Sequence, residues 1–163
     1  MDSFSEKILK EIMPAEKKVA PRPSAPRNPV DHWSTALLME RAEYLSKMAR
    51  HGNGSAGETL KEYPQHCAML SFRCRDGEAE VHENFADVFI VVSGRAALVT
   101  GGKVVGAASA GLGEIRGASI EGGTRQELRA GDVAHVPAGL PHQMLVRGEQ
   151  TVTCLVMKVQ EVL

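Results

Sequence analysis

Glu80, His82 and Asp87 stand in the stretch AEVHENFADVFIVVSG, just ahead of a solid apolar run, and His142 stands in GDVAHVPAGLPHQMLV. Two imidazoles and two carboxylates are the donor types of a mixed nitrogen and oxygen metal site, suited to Fe(II), Mn(II) or Zn(II) and poor for soft Cu(I). On a strand, residues two apart point the same way with Cα atoms roughly 6–7 Å apart, so Glu80 and His82 can share one face. Asp87 can return to the same opening across a turn at Glu83 to Ala86. Gly131 opens a later strand, and Pro137, Gly139 and Pro141 shape a turn that presents His142. The plain alternative for each is structural: a carboxylate bonded to turn amides, a solvent-facing glutamate, a histidine satisfied by backbone.

Such a site needs strands to carry it. After Tyr63 the chain runs in short β-branched segments separated by glycines, among them His66 to Cys74, Val88 to Val92, Ala96 to Thr100, Ile115 to Ile120, Val133 to Val136 and Thr151 to Val159. That cadence predicts an all-β sandwich or barrel. Ahead of it, Asp31 is a candidate cap for a helix in which Trp33, Leu37, Leu38, Tyr44, Leu45 and Met48 form a stripe, with Gly52 as the stop. Gly52, Gly54 and Gly57 then make a flexible joint. Further back, Phe4, Ile8 and Ile12 recur at helical spacing until Pro14. Five of the eight prolines fall from Pro14 to Pro29, a composition that favours extended chain. The expected organisation is a helix and proline-rich linker over 1–30, an amphipathic helix and joint over 31–57, and the barrel over 58–163.

With 163 residues there is room for one well-buried core, and 19 basic against 20 acidic residues leave no basic field to neutralise a run of phosphates. Nucleic acid is therefore not an expected partner. No apolar run approaches the ~20 residues that span a bilayer, and the first residues lack signal-peptide order, so no membrane partner and a cytoplasmic location are expected. Cys67, Cys74 and Cys154 are odd in number without CxxC spacing, and are expected as packed free thiols. The glycine-rich GLGEIRG lacks the spacing of a phosphate loop.

The site residues carry a resemblance. The sequence resembles the cupin family, whose motifs read G-x5-H-x-H-x3-4-E-x6-G and G-x5-P-x-G-x2-H-x3-N. In the second, Gly131, Pro137, Gly139 and His142 fall at the pattern's spacing, with Val146 in place of Asn. In the first, Glu80, His82, Asp87 and Gly94 fit when aligned from the rear, with Cys74 for the opening Gly, Glu80 for the first His and Asp87 for Glu. The other register would make Asn84 the second ligand but leaves only two residues before Asp87. The resemblance covers about Met69 to Gln160. It implies a small antiparallel β-barrel, jelly-roll-like and frequently a homodimer, with one divalent metal (Fe, Mn or Zn, with Ni also admitted) held by Glu80, His82, Asp87 and His142. It further implies a small-molecule ligand, with dioxygenase, isomerase, lyase or non-catalytic binding as the alternatives. Gln143, beside His142, is a candidate to hydrogen-bond a bound ligand. Arg116, Arg125, Thr124 and Lys158 are candidate anchors for an anionic one.

Overall fold

The computed structural model describes residues 30–161 of the chain. The helix expected around Phe4, Ile8 and Ile12, and the proline-rich stretch to Pro29, lie outside the described residues.

The first described element is a helix, α1 (Thr35–His51). Its cap is Ser34 rather than Asp31: the Leu37 N–H donates to Ser34 Oγ at 3.2 Å, and Asp31 instead accepts from the Tyr63 hydroxyl at 2.8 Å. Gly52 follows as the expected stop. The buried stripe is Leu38, Ala42, Leu45 and Ala49, while Leu37, Tyr44 and Met48 of the expected stripe are exposed. The two alanines explain the difference, because their small side chains let the helix lie close on a sheet and turn that face inward.

Twelve strands follow among the described residues: β1 (Ser55–Glu62), β2 (His66–Arg73), β3 (Ala79–His82), β4 (Phe85–Thr100), β5 (Lys103–Val105), β6 (Ala108–Gly111), β7 (Glu114–Gly117), β8 (Ser119–Glu121), β9 (Thr124–Arg129), β10 (Val133–Val136), β11 (His142–Leu145) and β12 (Val152–Gln160). All the pairings are antiparallel. One sheet has the order β1-β2-β12-β4-β10, and a second has β9-β4-β11-β3-β7-β6, with β5 and β8 as a separate pair. β1 is a strand where the sequence suggested only a joint. Its residues, SAGETLKE, are mostly polar because it is an edge strand with a single partner.

β4 belongs to both sheets. Residues Phe85 to Gly94 pair with β12, and Arg95 to Thr100 pair with β9. The corner between the halves is Gly94, at φ +78°, where an added Cβ would stand 1.9 Å from the Thr151 carbonyl oxygen. Only glycine fits that conformation at that approach.

Two cores result. Between the sheets lie Cys67, Met69, Phe85, Val91, Leu98, Leu128, Val136, Met144, Val152, Cys154 and Val156. Between α1 and the outer face of the first sheet lie Leu38, Leu45, Leu60, Ala68, Leu70 and Phe72. β2 therefore buries both faces, Cys67 and Met69 inward and Ala68, Leu70 and Phe72 toward the helix, which is why it reads as a nearly continuous apolar run. Each large aliphatic fully buried this way contributes about 1.5–3 kcal/mol. The helix is also pinned to β1 by a forked pair, Arg41 Nε donating to Glu58 Oε1 at 2.8 Å and Arg41 Nη2 to Glu58 Oε2. Cys67 and Cys154 are buried, Cys74 half-buried, and all three are free. Among the described residues no helix is long and apolar enough to cross a membrane.

Candidate metal centre

β3, β7 and β11 lie side by side in the second sheet, and their register builds most of the site. Arg116, Glu80, His142 and Thr100 are cross-strand neighbours in one row, and Glu114 faces His82 in the next. Directly opposed residues share a face, so these polar groups all meet on the side toward the first sheet. Asp87 reaches the same space from β4 in that opposing sheet, where it pairs with Lys158 on β12. The turn before His142 is tied down as well: the Gly139 N–H donates to the His82 carbonyl at 2.8 Å, with Gly139 at φ +77°.

Glu80, His82 and His142 each offer a donor atom within 4.8 Å of the other two. His82 Nε2 is 3.5 Å from Glu80 Oε2 and 3.2 Å from Asp87 Oδ2. His142 Nε2 is 3.8 Å and 3.5 Å from the same two oxygens. His82, Asp87 and His142 are all buried, at 3 %, 4 % and 3 % exposure. Neither Nε2 makes an aligned hydrogen bond, although buried polar nitrogens almost always do. Two unpartnered imidazole nitrogens facing two carboxylate oxygens fit a divalent ion. The donor set suits an ion of intermediate hardness.

The opposite edges of both rings are held. His82 Nδ1 meets Glu114 Oε1, and Glu114 is 1 % exposed. His142 Nδ1 lies 3.2 Å from the Leu140 carbonyl, to which it donates. Fixing Nδ1 in this way directs Nε2 toward the ion and sets the ring orientation.

Glu80, Asp87 and Glu114, with the exposed Glu78 beside Arg116, face three cations. Arg116 donates to Glu80 Oε1 at 2.8 Å and Arg73 lies 3.8 Å from the same oxygen, which leaves Oε2 for the histidines. Lys158 Nζ is 3.0 Å from Asp87 Oδ1, an ion pair without hydrogen-bond alignment. Burial opposes the ionisation of Glu80, but His82, Arg116 and Arg73 outweigh it and hold the carboxyl well below its usual range. Asp87 is likewise held low, burial being overcome by Lys158, His142 and His82. Burial also works against a charged His82, yet Asp87, Glu114 and Glu80 together push it up to about 11. In the metal-free protein these three carboxylates favour the protonated form of His82.

The structure thus brings together Glu80, His82, Asp87 and His142 as the spacing suggested, and places Arg116 beside them on Glu80. Gln143 is elsewhere engaged. Its amide donates to the Gly77 and Ala118 carbonyls at 2.8 and 3.3 Å and accepts from the Ile120 N–H at 3.3 Å, stitching β11 to neighbouring segments. Arg125 lies on β9 in an exposed pair with Glu127, its Nε donating at 2.9 Å. Thr124 is exposed at the start of the same strand. Sequence reasoning missed Glu114 altogether and read Lys158 as a candidate anchor for an anionic ligand rather than as the partner of Asp87. The signal for Lys158 was present: Val152, Cys154 and Val156 alternate inward, and Lys158 is the next position on that face. Glu114 had a weaker one, as the acidic member of the short alternating run Glu114, Ile115, Arg116.

No protein-family model and no curated protein matches the sequence. Among solved structures the chain is similar to the Cnp3 cupin domain of Schizosaccharomyces pombe, at 14% identity over 66% of this chain and 61% of that one, TM-score 0.49. It is similar also to an uncharacterized double-stranded beta-helix protein of Klebsiella pneumoniae, at 18% identity over 66% and 79%, TM-score 0.49. A third is the DMSP lyase DddQ of Ruegeria pomeroyi, at 15% identity over 66% and 48%, TM-score 0.48. The chain thus spans less than two thirds of the length of the first and third of these. The antiparallel strand order and the two layers joined through β4 make this a two-layered antiparallel β-barrel with an inward-facing polar cluster.

Proposed function

We propose that this protein binds one divalent transition metal through Glu80, His82, Asp87 and His142 and uses it to hold a small anionic molecule. The observation that carries the reading is the pair of buried, unpartnered Nε2 atoms of His82 and His142 facing Glu80 Oε2 and Asp87 Oδ2. When bound, the metal supplies Lewis acidity toward a coordinated oxygen. The chain's own residues set the rest. Glu114 and the Leu140 carbonyl orient the two rings, and Arg116 and Arg73 fix which oxygen Glu80 presents. Glu78, Glu80, Asp87 and Glu114 face Arg73, Arg116 and Lys158, so a divalent ion beside neutral imidazoles leaves the pocket with an excess of one positive charge. That excess favours an anionic ligand over a neutral one.

A second reading, a binding or sensing module without chemistry, is favoured by one observation. Every carboxylate of the site is already engaged with a cation or an imidazole, which suits holding a ligand better than moving protons. The first reading requires the metal, and the second holds with or without one. The test is elemental analysis of protein purified without an affinity tag, next to His82→Ala and His142→Ala. About one equivalent of transition metal in the parent and little in either folded variant supports the assignment. Unchanged metal content in His142→Ala, or no uptake of Fe(II), Mn(II), Zn(II) or Ni(II) by the parent, overturns it.

A further inference from the structure

Lys158 is 4 % exposed, lying on β12 directly opposite Asp87 on β4 and Cys67 on β2. Opposed residues share a face, so its ammonium projects between the sheets beside the polar cluster. A buried lysine is costly unless paired, and the inward face of β12 is otherwise apolar through Val152, Cys154 and Val156. A hydrophobic residue would fill the position at less cost, so the lysine answers a need of the site. That need is not Glu80, which has Arg116 and Arg73. It is Asp87, whose two oxygens are divided: Oδ1 lies 3.0 Å from Lys158 Nζ, while Oδ2 lies 3.2 and 3.5 Å from the two imidazole Nε2 atoms.

We infer that Lys158 is a positioning residue that restricts Asp87 to a single donor oxygen and offsets its charge, so that the site holds its divalent ion less tightly and leaves more of it open to ligand. The inference rests on the metal reading above. Without the lysine, Asp87 is free to offer both oxygens and brings an uncompensated negative charge to the ion. Both changes tighten metal binding, and the second oxygen also raises the coordination number. Arg116 and Arg73 are engaged with Glu80, whereas Lys158 pairs with Asp87.

The experiment uses the full chain and Co(II) as the probe, read by competition with a chelator and by the visible absorption of the bound ion, whose intensity falls as coordination number rises. Lys158→Met should bind Co(II) at least about tenfold more tightly than the parent, as expected for removing a cation next to a coordinated carboxylate, with a weaker visible band. A purely structural lysine would move neither in that direction. Should Lys158→Met fail to fold, the pair Asp87→Asn and Asp87→Asn with Lys158→Met decides the matter. Asp87→Asn alone leaves Lys158 uncompensated beside the ion, and adding Lys158→Met should recover at least about tenfold in Co(II) affinity. Equal affinities and spectra within either comparison overturn the inference. No Co(II) binding by the parent is a different result, since it removes the metal reading itself.

Discussion

Metal binding at this site should compete with a proton, and His82 sets the size of that competition. Asp87, Glu114 and Glu80 outweigh burial and push His82 up to about 11, whereas a metal requires its Nε2 unprotonated. Below that pH, every metal that binds must release the proton. The apparent affinity then rises tenfold per pH unit, or about 1.4 kcal/mol per unit. Glu80 and Asp87 are held low and add no proton of their own in the neutral range. Between pH 7.5 and 9.0, above the ordinary histidine range, the expected gain for Zn(II) is about thirtyfold, or about 2 kcal/mol. Titration calorimetry against a competing chelator, repeated in buffers of different ionisation enthalpy, measures both the affinity and the protons released, with about one expected per metal. Glu114→Gln keeps the shape of the buried side chain and its acceptor oxygen but removes one of the three carboxylates that raise His82. The pH at which affinity levels off should therefore move down in this variant. A parent affinity that is flat across this window with no proton released would refute the reasoning, because His82 would then be neutral before the metal arrives.

The same groups govern the metal-free protein in opposite directions. His82 is raised on folding, so its contribution to stability is complete below about pH 6.5 and is lost as pH rises through about 11. Glu80 and Asp87 are lowered, so theirs is present above about pH 4 and is lost as pH falls. Between pH 7 and 8.5 the unfolded chain has released the His82 proton and the folded one still holds it, so denaturant midpoints should fall with rising pH, by up to about 1.4 kcal/mol of stability per unit, and a flat midpoint across this window would contradict this. Gly94→Ala places a Cβ against the Thr151 carbonyl at positive φ, and should lower Tm by about 5–15 °C in thermal unfolding. An unchanged Tm would mean that the corner of β4 relaxes freely. Asn84→Ala should leave metal content unaltered, because Asn84 is in the turn before β4 and the histidines face Glu80 and Asp87 instead. Loss of metal would shift the ligand assignment to the other motif register.

The barrel was legible because its strands are bounded by glycines and alternate cleanly, and because Gly131, Pro137, Gly139 and His142 shape a turn that is recognisable from spacing alone. What was hidden depended on register. Glu114 becomes a neighbour of His82 only through the pairing of β7 with β3, between residues 32 positions apart in sequence. β4 read as two strands, because a glycine at a sheet-switching corner looks like any turn glycine. Gln143, next to His142, faces away from it because adjacent strand residues alternate, and period-two reasoning applied to that pair would have separated them. Ala42 and Ala49 were passed over as helix contacts because small residues weigh little in a hydrophobic stripe, although closeness of packing is what they provide.

The position of β12 has a consequence for how the chain acquires its structure. In the first sheet β12 lies between β2 and β4, pairing with both along nearly its whole length. The nascent chain presents β2 and β4 long before Val152–Gln160 leaves the ribosome. Until then their facing edges are unsatisfied, apolar strands, apt to pair with other chains. The layer completes in a late step, with β12 pairing to β4 residues 58 to 75 positions earlier, so folding is slow. A stall or truncation before residue 152 would yield an aggregating chain rather than a smaller barrel.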